Sequence, residues 1–71
     1  MQPHESRVVD EHTDLEGKVV RLEEFVGTPT YHALSHAQQY LLRKQLLAMR
    51  EYLEILAARI ALFPSPGVAS G

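Results

Sequence analysis

Apolar side chains recur along the second half of the chain at spacings that alternate between four and three residues. Such a heptad repeat keeps one narrow face of an α-helix turned toward a partner helix. The repeat has no polar member and consists of Leu42, Leu46, Met49, Leu53, Leu56, Ile60 and Phe63. The first half carries a matching repeat with one polar member, formed by Val8, His12, Leu15, Val19, Leu22 and Val26. Two such repeats predict two amphipathic helices that pack against each other.

Proline, glycine and serine mark a break between the two repeats. Gly27 follows the last apolar residue of the first repeat and predicts a left-handed helix cap, and Pro29 cannot continue that helix. Ser35 and Gln38 fit a capping box at the start of a second helix. Because a connection of this length joins antiparallel neighbours, we predict an all-α fold, an antiparallel two-helix hairpin resembling a coiled coil. The predicted elements are a first helix at about residues 5–26, a second helix at about residues 36–63 and a flexible tail at residues 64–71.

Length and composition narrow the class of protein. A chain of 71 residues holds one domain at most, and a core this small is marginally stable on its own. The absence of cysteine excludes disulfides and thiolate zinc sites. The net charge of -2 argues against a binder of nucleic-acid polymers, and no apolar run is long enough for a membrane span or a signal peptide. We therefore expect a soluble cytoplasmic protein.

A further apolar row flanks the second repeat, and a two-helix hairpin cannot bury it. Burying a leucine or isoleucine side chain is worth roughly 1.5–3 kcal/mol. We therefore expect the hairpins to self-associate through their second helices into a helical-bundle homo-oligomer, of which a dimer is the simplest case. The alternative is that this row meets a helix of another protein. The expected interface residues are Leu41, Leu47, Ala48, Ile55 and Leu62.

A polar stripe lies beside this row, and its members follow one another at intervals of seven residues: Gln38, Gln45, Tyr52 and Arg59. A tyrosine ring can stack on a nucleobase, and a guanidinium group can hold a phosphate through two parallel hydrogen bonds. Between protomers, the stripe could line a pocket for a small molecule. The alternative is that the stripe cross-links helices, with Arg59 paired to an acid such as Glu23 or Glu24.

A basic cluster is the second candidate feature, and it consists of Arg43, Lys44 and Arg50. Oligomerisation could bring two such clusters together and attract an anionic ligand. A solvated helix face is the alternative, which the neighbouring Glu51 and Glu54 favour. The candidate ligand-binding residues are therefore Gln45, Tyr52, Arg59, Arg43, Lys44 and Arg50.

Motifs for catalysis or metal binding are absent from the sequence. His32 and His36 have a spacing that suits metal ligands on one helix, but Ser35 is predicted to begin a helix between them. The chain has no phosphate-binding glycine loop, nucleophile elbow or cysteine nucleophile. We expect a binding protein without enzymatic activity, cofactor or metal. Gly17, in the middle of the first helix, predicts either a close helix approach, a slight kink or a tolerated surface glycine.

Residues 41–60 read LLRKQLLAMREYLEILAARI, and residues 18–25 read KVVRLEEF. With Leu34 before them, these segments resemble a family of small phage proteins typified by one from a crAss-like phage. The family patterns are LLxxQLxAMxxYxxILxxRI and K-x-x-K-L-x-x-F. The likeness covers most of the chain up to Phe63, and the chain departs from the family at Gly17 and in its proline- and glycine-containing tail.

The resemblance implies an accessory protein that acts in the cytoplasm of an infected bacterium. The chain is also similar, in size and expected assembly, to phage helical hairpins that sequester the nucleotide messengers of bacterial immunity without cleaving them. That similarity implies a cyclic nucleotide or a cyclic ADP-ribose variant as ligand. Tyr52 would then stack on the base, and Gln45 would bond a base edge or ribose. The phosphate would be held by Arg59 and by one of Arg43, Lys44 or Arg50. The alternatives are an inhibitor or adaptor that docks on a host protein, and a phage structural or assembly component.

Overall fold

The computed structural model describes residues 2–64, and these residues form three α-helices without any strand. The all-α prediction is confirmed. The chain order is α1 (Pro3–Val26), α2 (Pro29–His32) and α3 (His36–Ala61). The predicted tail falls, from residue 65 onward, outside the described residues. In the part of the chain that the structure describes, no helix has the apolar length that crossing a bilayer requires.

The first helix begins two residues earlier than predicted, because its N-terminus is well capped. Pro3 occupies the first turn, where its missing N–H leaves no bond unmade. The backbone N–H of Gln2 donates to Oε1 of Glu5 at 2.7 Å, and the Glu5 side chain is buried against the helix start. A carboxylate in the first turn also interacts favourably with the positive end of the helix dipole.

The end of α1 corrects one prediction. Gly27 has a φ of -87° and a ψ of 5°, so the left-handed cap predicted for it is wrong. Its N–H instead bonds the carbonyl of Glu24 at 3.2 Å, which tightens the last turn. Thr28 completes the corner, because its hydroxyl donates to the Phe25 carbonyl at 2.6 Å and accepts from the Tyr31 N–H at 3.2 Å. The chain therefore turns without a left-handed residue.

The connection between the long helices contains a one-turn helix, α2, that the prediction of two helices missed. Thr28 caps it and Pro29 occupies its first position. A threonine followed by proline is a good helix start, since the hydroxyl satisfies an amide and proline fixes a helical φ. The Thr28–Pro29 pair was therefore the signal for α2 in the sequence.

The third helix begins where the sequence predicted and ends slightly earlier. The Ser35 hydroxyl accepts the N–H of Gln38 at 3.2 Å, which confirms the capping serine. At the other end the N–H of Leu62 bonds the Arg59 carbonyl at 3.1 Å, so the last turn is tightened. Pro64 follows and disfavours a helical residue before it. The helix consequently stops at Ala61 rather than at residue 63.

The two apolar repeats form the contact between α1 and α3, as predicted. Leu56 is 0 % exposed and lies in a buried core with partly buried neighbours around it. The polar member of the first repeat, His12, is half-buried. The buried core consists of Val8, Leu15, Val19, Leu46 and Leu56, and the residues packed against it are Leu22, Met49, Leu53, Ile60 and Phe63.

An ion pair shows how far α1 extends along α3. Arg50 donates through Nε to Oε2 of Glu23 at 3.2 Å and pairs with the same oxygen through its terminal nitrogen. Glu23 is close to the end of α1, whereas Arg50 lies near the middle of α3. The first turns of α3 therefore extend beyond the end of α1, and each residue adds about 1.5 Å to the length of this extension. In this overhang, which we define as residues 36–45, no residue is buried.

Gly17 does not mark a close approach between helices. A Cβ built at this position would meet only the side chain of Arg21, on the same helix, at 3.4 Å. The residue lies within an uninterrupted α1. The packing therefore supports the prediction of a tolerated surface glycine.

Candidate functional site

The polar stripe lies along one exposed side of α3. Gln45 and Arg59 are exposed, and the Tyr52 side chain between them is 40 % exposed. Residues seven apart on an α-helix point in nearly the same direction and are separated by about 10 Å along the axis. Gln45 and Arg59 are therefore about 21 Å apart along the helix. A small ligand on one chain could contact Tyr52 together with one of them, but hardly all three.

Arg59, which the sequence offered as a helix cross-link, has no ion-pair partner within the described residues 2–64. Among residues 2–64 the ion pair recorded is that between Arg50 and Glu23. The Arg59 side chain is exposed at the last full turn of α3. As far as residues 2–64 are concerned, its guanidinium group is accessible to a ligand.

The basic cluster does not converge on the stripe within one chain. Arg50 is two residues from Tyr52, and residues two apart on a helix point in nearly opposite directions. Arg50 also faces α1, where it pairs with Glu23. The same geometry separates Arg43 from Gln45. Lys44 places its Nζ 5.9 Å from the centre of the Tyr40 ring, in a cation–π contact. Within a single chain, therefore, Arg43 and Arg50 cannot hold the phosphate of a ligand that is stacked on Tyr52.

The additional apolar row is exposed, as the sequence predicted. Ile55 is 51 % exposed and Leu62 is 85 % exposed. Large exposed apolar side chains that cluster on one surface are typical of interaction sites. The exposed row consists of Leu41, Leu47, Ala48, Ile55 and Leu62.

A cavity of about 230 Å³ lies on the α3 overhang, and sequence reasoning did not identify it. It is lined by His36, Gln39, Tyr40 and Arg43. These positions follow the i, i+3, i+4, i+7 spacing of a single helix face, which was the available signal. Arg43 is the one lining residue that the sequence had named as a ligand-binding candidate. The cavity therefore combines a cation, an aromatic ring, an imidazole and an amide.

Hydrogen bonds fix one wall of this cavity. The Gln39 side chain donates through Nε2 to the backbone carbonyls of His32 at 3.2 Å and Leu34 at 2.9 Å. The backbone carbonyl of Gln39 accepts from the Tyr31 hydroxyl at 3.0 Å. Tyr31 is 3 % exposed and packs edge-to-face against Phe25, with ring centres 6.0 Å apart. A buried tyrosine and one glutamine thus bond together the corner formed by α2 and the start of α3.

The histidine pair has separate surroundings. His32 lies in α2 and donates through Nδ1 to the Thr28 carbonyl at 2.9 Å, whereas His36 begins α3 beside the cavity. Over residues 2–64, no three potential metal ligands of the His, Cys, Asp or Glu type come together.

Within residues 2–64, the all-α chain thus carries an exposed apolar row, a polar stripe and a small cavity along α3. The chain belongs to the Sequestin family, whose model matches residues 2–62. A protein of Enterobacteria phage T4, described as an uncharacterized 7.5 kDa protein in the denB-rIIB intergenic region, is 33% identical over 63 residues. The match covers 89% of this chain and 98% of the T4 protein. No solved structure matches the chain.

These comparisons confirm the resemblance to a family of small phage proteins. The family match extends over α1, α2 and all of α3, so it includes the cavity, the stripe and the whole apolar row. The narrower likeness to a protein of a crAss-like phage stays a prediction.

Proposed function

We propose that this chain is a non-enzymatic phage protein that counters bacterial defence by binding and sequestering a nucleotide-type immune messenger in the host cytoplasm. The name of the family, Sequestin, supports sequestration as the mode of action, and the T4 relative supports a phage origin. The exposed polar stripe is the observation that carries the ligand class. Tyr52 offers an aromatic face, Arg59 offers a guanidinium without an ion pair in residues 2–64, and Gln45 offers an amide.

The ligand would be a cyclic nucleotide or a cyclic ADP-ribose variant. Such molecules present flat bases and anionic phosphates at once, and the stripe supplies a stacking surface and a bidentate cation. Stacking of a base on an aromatic side chain is worth about 1–3 kcal/mol, which suits recognition without any chemistry on the ligand. Sequestration needs tight binding alone, so no acid, base or metal is required of the site.

The proposal includes a homo-oligomer built from antiparallel two-helix hairpins. The exposed row beside the stripe supports it, since Leu41, Leu47, Ile55 and Leu62 are each more than half exposed in the single chain. Burial of this row between copies would bring the stripe of one copy to the edge of the interface. A ligand could then bridge two copies and contact residues that lie too far apart on one α3.

A comparison of variants tests the proposed site. We expect Tyr52→Ala and Arg59→Ala each to weaken the binding of a retained cyclic nucleotide or cyclic ADP-ribose isomer about tenfold or more. Arg21→Ala is the matched control, because Arg21 is an exposed arginine of α1 away from the stripe. Isothermal titration with the ligand that the wild-type protein retains gives the three affinities. Unchanged affinities for both stripe variants would refute this assignment.

The exposed row also favours a second candidate function, an inhibitor or adaptor that docks this face on a host protein as a helix in a groove. In that case the purified protein would be monomeric at the concentrations where the host protein binds. The variants Ile55→Ala and Leu62→Ala would weaken that complex, whereas Arg59→Ala would leave it intact. A role as a phage structural or assembly component would instead place the protein in purified virions.

A further inference from the structure

The charge of the molecule is unevenly distributed along its length. From Phe25 to Arg50 the sequence contains no aspartate or glutamate, although it contains three cationic side chains. One of them, Arg50, is neutralised by Glu23. The other two, Arg43 and Lys44, lie in the α3 overhang and have no ion pair within residues 2–64. The overhang is therefore a positively charged surface with no carboxylate of its own.

Two further features make this surface suitable for an anion. The cavity begins at His36, in the first turn of α3, where the positive end of the helix dipole attracts an anion. Because α1 ends before it reaches the overhang, its acidic side chains lie outside the overhang. Glu23, near the end of α1, is held at the level of Arg50. An anionic group at the start of α3 would therefore meet attraction and little repulsion at low ionic strength.

The cavity on this surface is large enough for one part of a nucleotide-type ligand but not for the whole molecule. Pockets for whole drug-sized ligands are typically about 300–1,000 Å³, and this one is about 230 Å³. It can take a phosphate and the sugar or ring next to it, but it cannot enclose a dinucleotide. Tyr40, which lines the cavity, is 60 % exposed, and Nζ of Lys44 lies 5.9 Å from the centre of its ring.

The cavity is also pre-formed on one side. Gln39 is fixed by its bonds to the carbonyls of His32 and Leu34, and the Tyr31 hydroxyl binds its backbone. A ligand therefore need not order this corner, and only the side chains of Arg43 and His36 must settle on the anion. Lower ordering cost leaves more of the interaction energy as affinity.

We propose that the cavity lined by His36, Gln39, Tyr40 and Arg43 is a phosphate subsite for a nucleotide-type ligand, with Arg43 on the phosphate and Tyr40 beneath the base. The subsite lies on the α3 overhang and is separate from the Gln45, Tyr52 and Arg59 stripe. Its nucleotide chemistry rests on the proposed function, whereas its anion chemistry rests on the charge and shape of the overhang. A ligand with two phosphates and two bases would occupy this subsite with one half only.

Backbone amide NMR of the full chain tests the subsite with defined probes: inorganic phosphate, 5′-AMP and, as the uncharged counterpart, adenosine. We expect 5′-AMP and phosphate to shift the amides of residues 36–44, and adenosine to shift them much less. Arg43→Gln is expected to weaken both anionic probes about tenfold. Tyr40→Ala is expected to weaken 5′-AMP and to leave phosphate unchanged. Arg21→Gln is the control, with an exposed arginine of α1 removed instead.

The outcomes separate this subsite from the proposed function, because the same samples are titrated with the cyclic nucleotides and cyclic ADP-ribose isomers. If the cyclic ligands bind, and neither Arg43→Gln nor Tyr40→Ala lowers any affinity, the subsite is wrong and the proposed function stands. If phosphate and 5′-AMP bind at residues 36–44 and every cyclic ligand is ignored, the subsite stands and the messenger proposal is wrong. Amide shifts around Tyr52 and Arg59 alone, or no binding of any probe, would overturn the subsite.

Discussion

Two adjacent residues of α3 give the sharpest test of which apolar side chains form the core with α1 and which belong to the exposed row. Ile55 is 51 % exposed, and Leu56, the next residue, is 0 % exposed. Truncation of either side chain to alanine removes a similar volume of aliphatic carbon from the same turn. Leu56→Ala leaves a cavity in the core between α1 and α3 and is expected to lower the free energy of unfolding by about 2–5 kcal/mol. That loss should be the same at every protein concentration.

Ile55→Ala is expected to behave differently. In a single chain only half of this side chain is buried, and alanine gains a few tenths of a kcal/mol in helix propensity, so the loss should be under about 1 kcal/mol. In an oligomer the exposed half becomes buried as well. Complete burial of isoleucine is worth roughly 1.5–3 kcal/mol, so the interface adds about 1 kcal/mol for each copy.

Thermal unfolding of the wild-type protein and both variants, at protein concentrations spanning on the order of a hundredfold, separates the two effects. The wild-type Tm should rise with concentration, and Ile55→Ala should reduce that rise. Leu56→Ala should lower Tm throughout. A wild-type Tm that is independent of concentration, with no effect of Ile55→Ala, would refute self-association through the row. Equal losses for the two variants at every concentration would contradict their placement on α3.

Three further predictions concern the corner, the middle of α1 and the ion pair. Tyr31→Phe removes the hydroxyl that bonds the Gln39 carbonyl, and urea denaturation should show a loss of about 0.5–1.5 kcal/mol; no loss would mean that this bond does not stabilise the corner. Gly17→Ala should raise the free energy of unfolding by up to about 1 kcal/mol, because only a flexible side chain stands near the added methyl; a loss would point to close packing there. Glu23→Gln should cost less than about 1 kcal/mol and the cost should shrink in high salt, since Arg50 and Glu23 are both exposed; a larger cost that ignores salt would indicate a role beyond surface pairing.

The sequence determined the contact between the long helices because heptad spacing leaves little freedom. Every member of the second repeat, from Leu42 to Phe63, is buried or half-buried, and Ser35 caps its helix as predicted. The corner was predicted less well. Gly27 was expected to be left-handed, but the Thr28 hydroxyl satisfies the local backbone and removes the need for that conformation.

The candidate site could be predicted only in part. The sequence shows more apolar residues around the second helix than the single face that a partner helix covers. The exposure of the row and of Tyr52 follows from that excess. The cavity on the overhang and the pairing of Arg50 with Glu23 depend on how far α1 extends along α3. The connection that joins the two long helices contains the one-turn helix α2, which the sequence analysis treated as a simple connection. The basic cluster consequently looked like one group, although Arg50 faces α1 and Arg43 faces the cavity.

Native mass spectrometry of the purified full chain, alone and with a panel of cyclic di- and trinucleotides and cyclic ADP-ribose isomers, tests sequestration most directly. It reports the number of copies and the retained ligand in one spectrum. The account predicts a closed homo-oligomer that holds at least one of these ligands intact, with a fixed number of ligands for each assembly. A closed oligomer that retains none of them would contradict the messenger proposal. A monomer that retains none would contradict both the ligand and the role given to the exposed row of α3.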